Sequence, residues 1–213
     1  MWQHVVLNNR KYFEEYLGLI KSKIDQETSI LDREYIIFEK GKKLEKKIDE
    51  YDWEDHFAGR AYEVEELEQL LYRSFIVSVF MFMEKTLAEL CDYLFIRDKD
   101  IFSYKDLKGN GVSRALNFLQ KKLNKKFPKD EQLKIDFDIA QIIRNSIVHT
   151  DGKINLGDKT KILQQIKNNL PIAIDRYNNS IKLSYKYALK VLDINDGICT
   201  EISNNWKITI LEI

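Results

Sequence analysis

Apolar residues recur at three- and four-residue intervals over most of this chain, and only near its end does the interval shorten to two. From His4 to Ile24 the positions Val5, Val6, Tyr12, Phe13, Tyr16, Leu17, Leu19, Ile20 and Ile24 predict an amphipathic helix. Leu31, Tyr35, Ile36, Phe38, Leu44, Ile48 and Tyr51 carry the same spacing into a second helix, interrupted by Gly41. The segment DWEDHFAGR holds turn residues, and from about Ala61 to Phe95 the pattern predicts one long helix. Its middle, FIVSVFMFM from Phe75 to Met83, is apolar almost all round. A helix of that kind is buried on every side, so it is expected to form the spine of the fold.

RDKDIFSYKDLKGNG reads as a loop, after which Ser113 is placed to cap a shorter helix through Leu123 carrying Ala115, Leu116, Phe118 and Leu119. Beyond Pro128, Asp130 caps the stretch DEQLKIDFDIAQIIRNSIVH, with Leu133, Phe137, Ala140, Ile143 and Ile147 on its core stripe. Thr150-Asp151-Gly152 ends that helix, glycine being favoured just past a helix C-terminus. Asp158 is the expected cap of a helix to about Asn168, and the β-branched pieces LPIAID and SIKLS predict a small hairpin. Ser184 caps the last helix, in which Gly197 weakens the second half, and WKITILEI alternates like a strand. The expected fold is an all-α antiparallel bundle with a small β-hairpin near the C-terminus. It is expected as one domain over residues 1–213, with an N-terminal helical extension at 1–59, a helical core at 60–204 and a tail at 205–213.

Composition sharpens this. Two prolines and eight glycines in 213 residues leave few breaks for long helices. Lys+Arg and Asp+Glu are equal at 34 each, which excludes a protein that holds nucleic acid by bulk charge but leaves room for a small cationic groove. The run GKKLEKKIDE, with acids among its lysines, reads as a solvated helix face. Cys91 and Cys199 are too few for a disulfide framework. No signal-peptide pattern opens the sequence, and the longest apolar run falls well short of the roughly 18 residues that a membrane span needs. A cytoplasmic protein without membrane contact is expected.

Candidate chemistry is sparse. His4, His56 and His149 have no neighbouring ligands at zinc spacing, and neither phosphate-binding glycine fingerprint occurs. The segment RNSIVH, Arg144 to His149, closes an amphipathic helix. Arg144 and His149 lie about 140° apart around that helix, while Asn145 shares the face of His149. A tightened last turn brings guanidinium and imidazole into one cleft. That pair suits phosphate chemistry: the guanidinium holds two phosphate oxygens, and an imidazole moves a proton near neutral pH. The bland alternative is an Arg144 paired with an acid, Glu84 being one candidate, and a His149 that caps the helix C-terminus as a cation.

An Arg, a polar residue and a His at this spacing, after a long apolar helix in an all-helical chain, resemble the HEPN superfamily (higher eukaryotes and prokaryotes nucleotide-binding). RSFIVSVFMFMEKTLAELC, KDLKGNGVSRALNFL and IIRNSIVHTDG are similar, in that order, to bacterial HEPN proteins of this size. The resemblance covers roughly Ala61 to Asn204 and leaves the first sixty residues unexplained. It implies a homodimer whose two RNxxxH helices face each other, and a metal-independent endoribonuclease without cofactors. Arg144, Asn145 and His149 would be its catalytic residues, giving a 2′,3′-cyclic phosphate and a 5′-OH. A toxin or antiviral-defence role follows from the same resemblance, with an antitoxin or regulatory protein as a further partner. Lys121, Lys122, Lys125 and Lys126 are the candidate contacts to the RNA backbone, against ordinary surface solvation. Two other readings stay open: a non-catalytic helical dimer binding nucleotide, RNA or a protein, and a helical module whose N-terminal helices recruit a partner.

Overall fold

The computed structural model describes residues 2–44, 50–109, 111–126, 128–167, 170–175 and 177–206. Among them are six α-helices and one two-stranded sheet, in the order α1 (Trp2–Leu44), α2 (Glu50–Asp98), α3 (Gly111–Leu123), α4 (Glu131–Thr150), α5 (Leu156–Lys167), β1 (Ala173–Ile174), β2 (Ile181–Lys182) and α6 (Tyr185–Trp206). The all-α bundle expected from the spacing is therefore what the chain forms. A short 3-10 turn at Tyr104–Asp106, with Ser103 and Asp106 in a capping box, leads from α2 towards α3. No helix among the described residues is long and apolar enough to cross a membrane.

α2 is the spine: it packs against α1, α3, α4 and α6, while α1 also packs against α6. Phe75, Ile76, Val79, Met83, Leu87 and Leu94 lie fully within the core, joined by Leu17, Ile20 and Ile24 of α1 and by Tyr187, Val191 and Ile202 of α6. α1 and α2 run antiparallel, with Phe13 edge-on to Phe75 and Phe82 at one end, and Tyr35 and Phe38 against Phe57 at the other. Arg10 ties α1 to α6 by ion pairs to Asp193 and Asp196. Gln69, buried on α2, accepts from the Leu183 N–H at 2.7 Å and donates to the Leu183 carbonyl at 3.1 Å, so a side chain serves the backbone next to β2 as a neighbouring strand would.

Five expectations need correction. Two N-terminal helices were expected before Ala61, yet α1 is continuous across residues 25–30. That stretch has no proline or glycine, and Lys21–Asp25 and Lys23–Glu27 brace it at i,i+4. DWEDHFAGR is helical rather than a turn, because Phe57 packs on Tyr35 and Phe38 and the helix of α2 is carried through. α3 begins at Gly111, so Ser113 lies inside it and does not cap it; α5 begins at Leu156, where Asn155 caps by accepting from the Asp158 N–H at 2.9 Å. The middle of α2 is not buried on every side: Met81 is 62% exposed and Val77 and Phe82 are half-buried.

The Asp130 and Ser184 caps and the hairpin form as expected; Asp130 accepts from the Leu133 N–H at 2.7 Å, and Ala173 and Ile174 pair with Lys182 and Ile181. α6 continues through Gly197, where α6 presses on Leu133 of α4. The strand expected in WKITILEI has its Trp206 within α6, and residues 207–213 lie outside the described residues.

Candidate functional site

α4 sets the motif by its packing. Phe137, Ala140 and Ile143 turn into the core, which leaves Gln141, Arg144, Asn145 and Val148 on the adjoining face. Arg73 of α2 meets Asp151 at 2.8 Å, and Phe80 lies 6.3 Å from Phe137 between ring centroids, so α2 and α4 are antiparallel. The end of α4 is fixed by several bonds. Asp151 is left-handed (φ 52°), the Gly152 N–H donates to the Ser146 carbonyl at 2.9 Å, and the Thr150 hydroxyl donates to the same oxygen. Gly152, at φ 77°, is needed twice, because a Cβ there would also stand 3.2 Å from the Arg73 guanidinium.

α4 is helical through Thr150, so the motif needs no frayed turn. Arg144, Asn145 and His149 nevertheless line one cleft of about 410 Å3, to which α2 contributes Phe80 and Glu84, the start of α3 contributes Gly111 and Ser113, and α4 adds Gln141. Arg144 is half-buried and donates from Nη1 to Asn145 Oδ1 at 3.0 Å, while its Nε is buried without a partner. Asn145 and His149 are exposed. No ion pair joins Arg144 to Glu84 or to any other acid among the described residues. A guanidinium that carries no acid partner and lines the same cleft as an exposed imidazole can hold an anion and exchange a proton with it.

The four lysines do not join this cleft. Lys121 and Lys122 lie in the last turn of α3 and Lys125 and Lys126 just beyond it, and the cleft lies at its start, roughly 16 Å away along the helix axis. Lys121, Lys125 and Lys126 are exposed, but the Lys122 side chain is only 13% exposed and pairs with Asp98 at 2.7 Å and with Asp100. Burial works against its charge, and the bonds to Asp100 and Asp98 outweigh it, so the ammonium titrates above its ordinary range. Hydrogen bonds from Arg97 and Lys122 hold the Asp98 carboxyl down at about 2. Lys122 thus closes the end of α2 onto α3.

Three cleft residues were not legible as a set. Ser113 reads in sequence as a cap, Gln141 as a polar residue of an amphipathic helix and Gly111 as part of a loop; Glu84 alone carried a hint, as an acid just after the apolar run. In the structure Gln141 Nε2 donates to Ser113 Oγ at 2.8 Å.

Neither cysteine is a nucleophile. Burial pushes the Cys91 thiol and the Cys199 thiol each up to about 12, and Cys91 Sγ donates to the Ala115 carbonyl at 3.7 Å. Both thiols are therefore expected to resist an aromatic disulfide reagent at pH 8 in the native protein and to react fully in guanidinium. Rapid native reaction of either would contradict the packing. Comparison with models of known families, with curated proteins and with solved structures finds no match to this chain.

Proposed function

We propose that this chain is a metal-independent endoribonuclease of HEPN type. The observation that carries the reading is the convergence of Arg144, Asn145 and His149 on one open cleft. In this mechanism the RNA phosphate sits against Arg144, and Asn145 orients the guanidinium through the bond it already accepts. His149 exchanges protons with the attacking 2′-OH or the departing 5′-oxygen, and Arg144 stabilises the charge that builds on phosphorus. The products are a 2′,3′-cyclic phosphate and a 5′-OH.

Moving one proton off the nucleophile while giving another to the leaving group calls for two acid–base groups, and one chain brings one imidazole to the cleft. A homodimer that apposes two α4 helices supplies the second. Support comes from two exposed apolar side chains next in sequence to cleft residues, Val148 (46% exposed) before His149 and Met81 (62% exposed) after Phe80. A toxin or defence role, with a regulatory protein that restrains it, fits an enzyme of this kind.

The test is incubation of the purified protein with single-stranded RNA in EDTA. Cleavage that leaves 5′-OH and 2′,3′-cyclic phosphate ends is expected, from a particle of twice the chain mass in sedimentation. RNA that is bound but stays intact would overturn the enzymatic reading and leave a non-catalytic binding protein.

A further inference from the structure

The cleft is not uniformly cationic. Besides Arg144 and His149 its lining includes Glu84, a half-buried carboxylate with no hydrogen-bond or ion-pair partner among the described residues. Its oxygens lie 3.0 and 3.3 Å from where a Cβ on Gly111 would be, so a side chain there would crowd the carboxylate, and the left-handed backbone at this position (φ 53°) favours glycine in any case. A lone carboxylate repels a phosphate and can only accept hydrogen bonds, so it fits a different part of a nucleotide, one that presents N–H donors. Gln141 and Ser113 stand in the same cleft. One amide proton of Gln141 is given to Ser113 Oγ, and the second remains to be donated.

Gln141 and Arg144 are three positions apart on α4, which puts their Cβ atoms roughly 5–6 Å from each other. The cleft volume of about 410 Å3 falls within the range of roughly 300–1,000 Å3 found for small-molecule sites. Of the four bases, only guanine has two adjacent N–H donors, N1–H and N2–H, beside an acceptor, O6. The two carboxylate oxygens match the donors, and the free Gln141 proton matches O6. Single-stranded RNA offers that edge, because its bases are unpaired.

We propose that Glu84, with Gln141 and Ser113, is a base-recognition subsite that selects guanine next to the scissile phosphate. This rests on the ribonuclease reading for its cleavage arm, and a binding arm stands apart from it. In the first arm, RNAs that contain one guanosine in an otherwise adenosine and uridine sequence are cut by the wild-type protein and by Glu84→Gln. Wild-type cuts are expected to concentrate at the guanosine. In Glu84→Gln, whose amide offers a donor to adenine N1 and an acceptor to its amino group, cleavage at guanosine relative to adenosine is expected to fall roughly 10- to 100-fold. In the second arm, calorimetry compares guanosine 3′-monophosphate with adenosine 3′-monophosphate on both proteins. The wild type is expected to prefer the guanosine nucleotide, and Glu84→Gln to lose that preference.

Cuts spread evenly over bases in the wild type would overturn the proposal while the ribonuclease reading stands. So would a Glu84→Gln protein that loses cleavage at every site in proportion and keeps its guanosine preference. If no RNA is cut at all, the ribonuclease reading falls, and the calorimetric preference alone decides: its presence and its loss in Glu84→Gln uphold guanine recognition, and its absence overturns it.

Discussion

His149→Ala is expected to lower RNA cleavage about 10^2- to 10^4-fold, the range that a positioned acid–base group supplies. His149 is exposed near the end of α4, so its removal leaves the core untouched and the unfolding temperature should stay within about a degree or two of wild type. Arg144→Ala is expected to be similarly slow for a different reason, since it removes the charge that faces the phosphorane. Arg144→Lys should recover only part of the rate, because an ammonium cannot present the paired donors of a guanidinium or keep the bond to Asn145 in the same geometry. The measurement is single-turnover cleavage of a labelled RNA, with circular dichroism as the folding control. A folded His149→Ala protein with wild-type rate would remove the histidine from the chemistry, and the cleft would then be a binding site.

Phe75→Ala is expected to cost about 3–5 kcal/mol of stability, the usual range for deleting a buried aromatic ring. Phe75 has no exposed surface and meets Phe13 at 6.0 Å and Tyr16 at 5.7 Å between ring centroids, so it is where α1 docks on the spine. The cavity would lie between two helices braced along the same face by Leu17 and Ile20, which limits collapse around the missing ring. For a chain of this size the melting temperature should fall by roughly 6–20 °C. Urea unfolding followed by far-UV circular dichroism gives the value directly. A loss under about 1 kcal/mol would mean that α1 is held on α2 by other contacts.

Local chemistry was legible in part: the expected Ser113 and Asp158 caps fall inside their helices, while other local signals hold. The Asp130 and Ser184 caps, the Asp151-Gly152 stop and the hairpin each depend on residues a few positions apart, and each forms as the sequence suggests. Breaks assigned to residues 25–30 and to DWEDHFAGR failed because tertiary partners and i,i+4 pairs override weak turn propensity. The same contrast runs through the site. Arg144, Asn145 and His149 are a single helical segment and so can be read from spacing. Glu84, Ser113 and Gln141 come from three helices, and only packing brings them together. Lys122 shows the reverse case, a residue that looks like part of a basic patch and is used up by Asp98 and Asp100.

The pairing of Arg10 with Asp196 spans 186 positions, and that of Gln69 with Leu183 spans 114. The cleft, in contrast, is lined by residues 80–149, a contiguous middle stretch of the chain. As the polypeptide is synthesised, every group that would touch a substrate has emerged before α6 exists. α1 and α2 already pack on each other, and α6 adds contacts that close much longer loops, each carrying a larger entropic cost than a local pairing. α6, which contributes nothing to the cleft, therefore covers α1 and α2 through the pairings of longest sequence separation, Arg10 with Asp196 and Gln69 with Leu183.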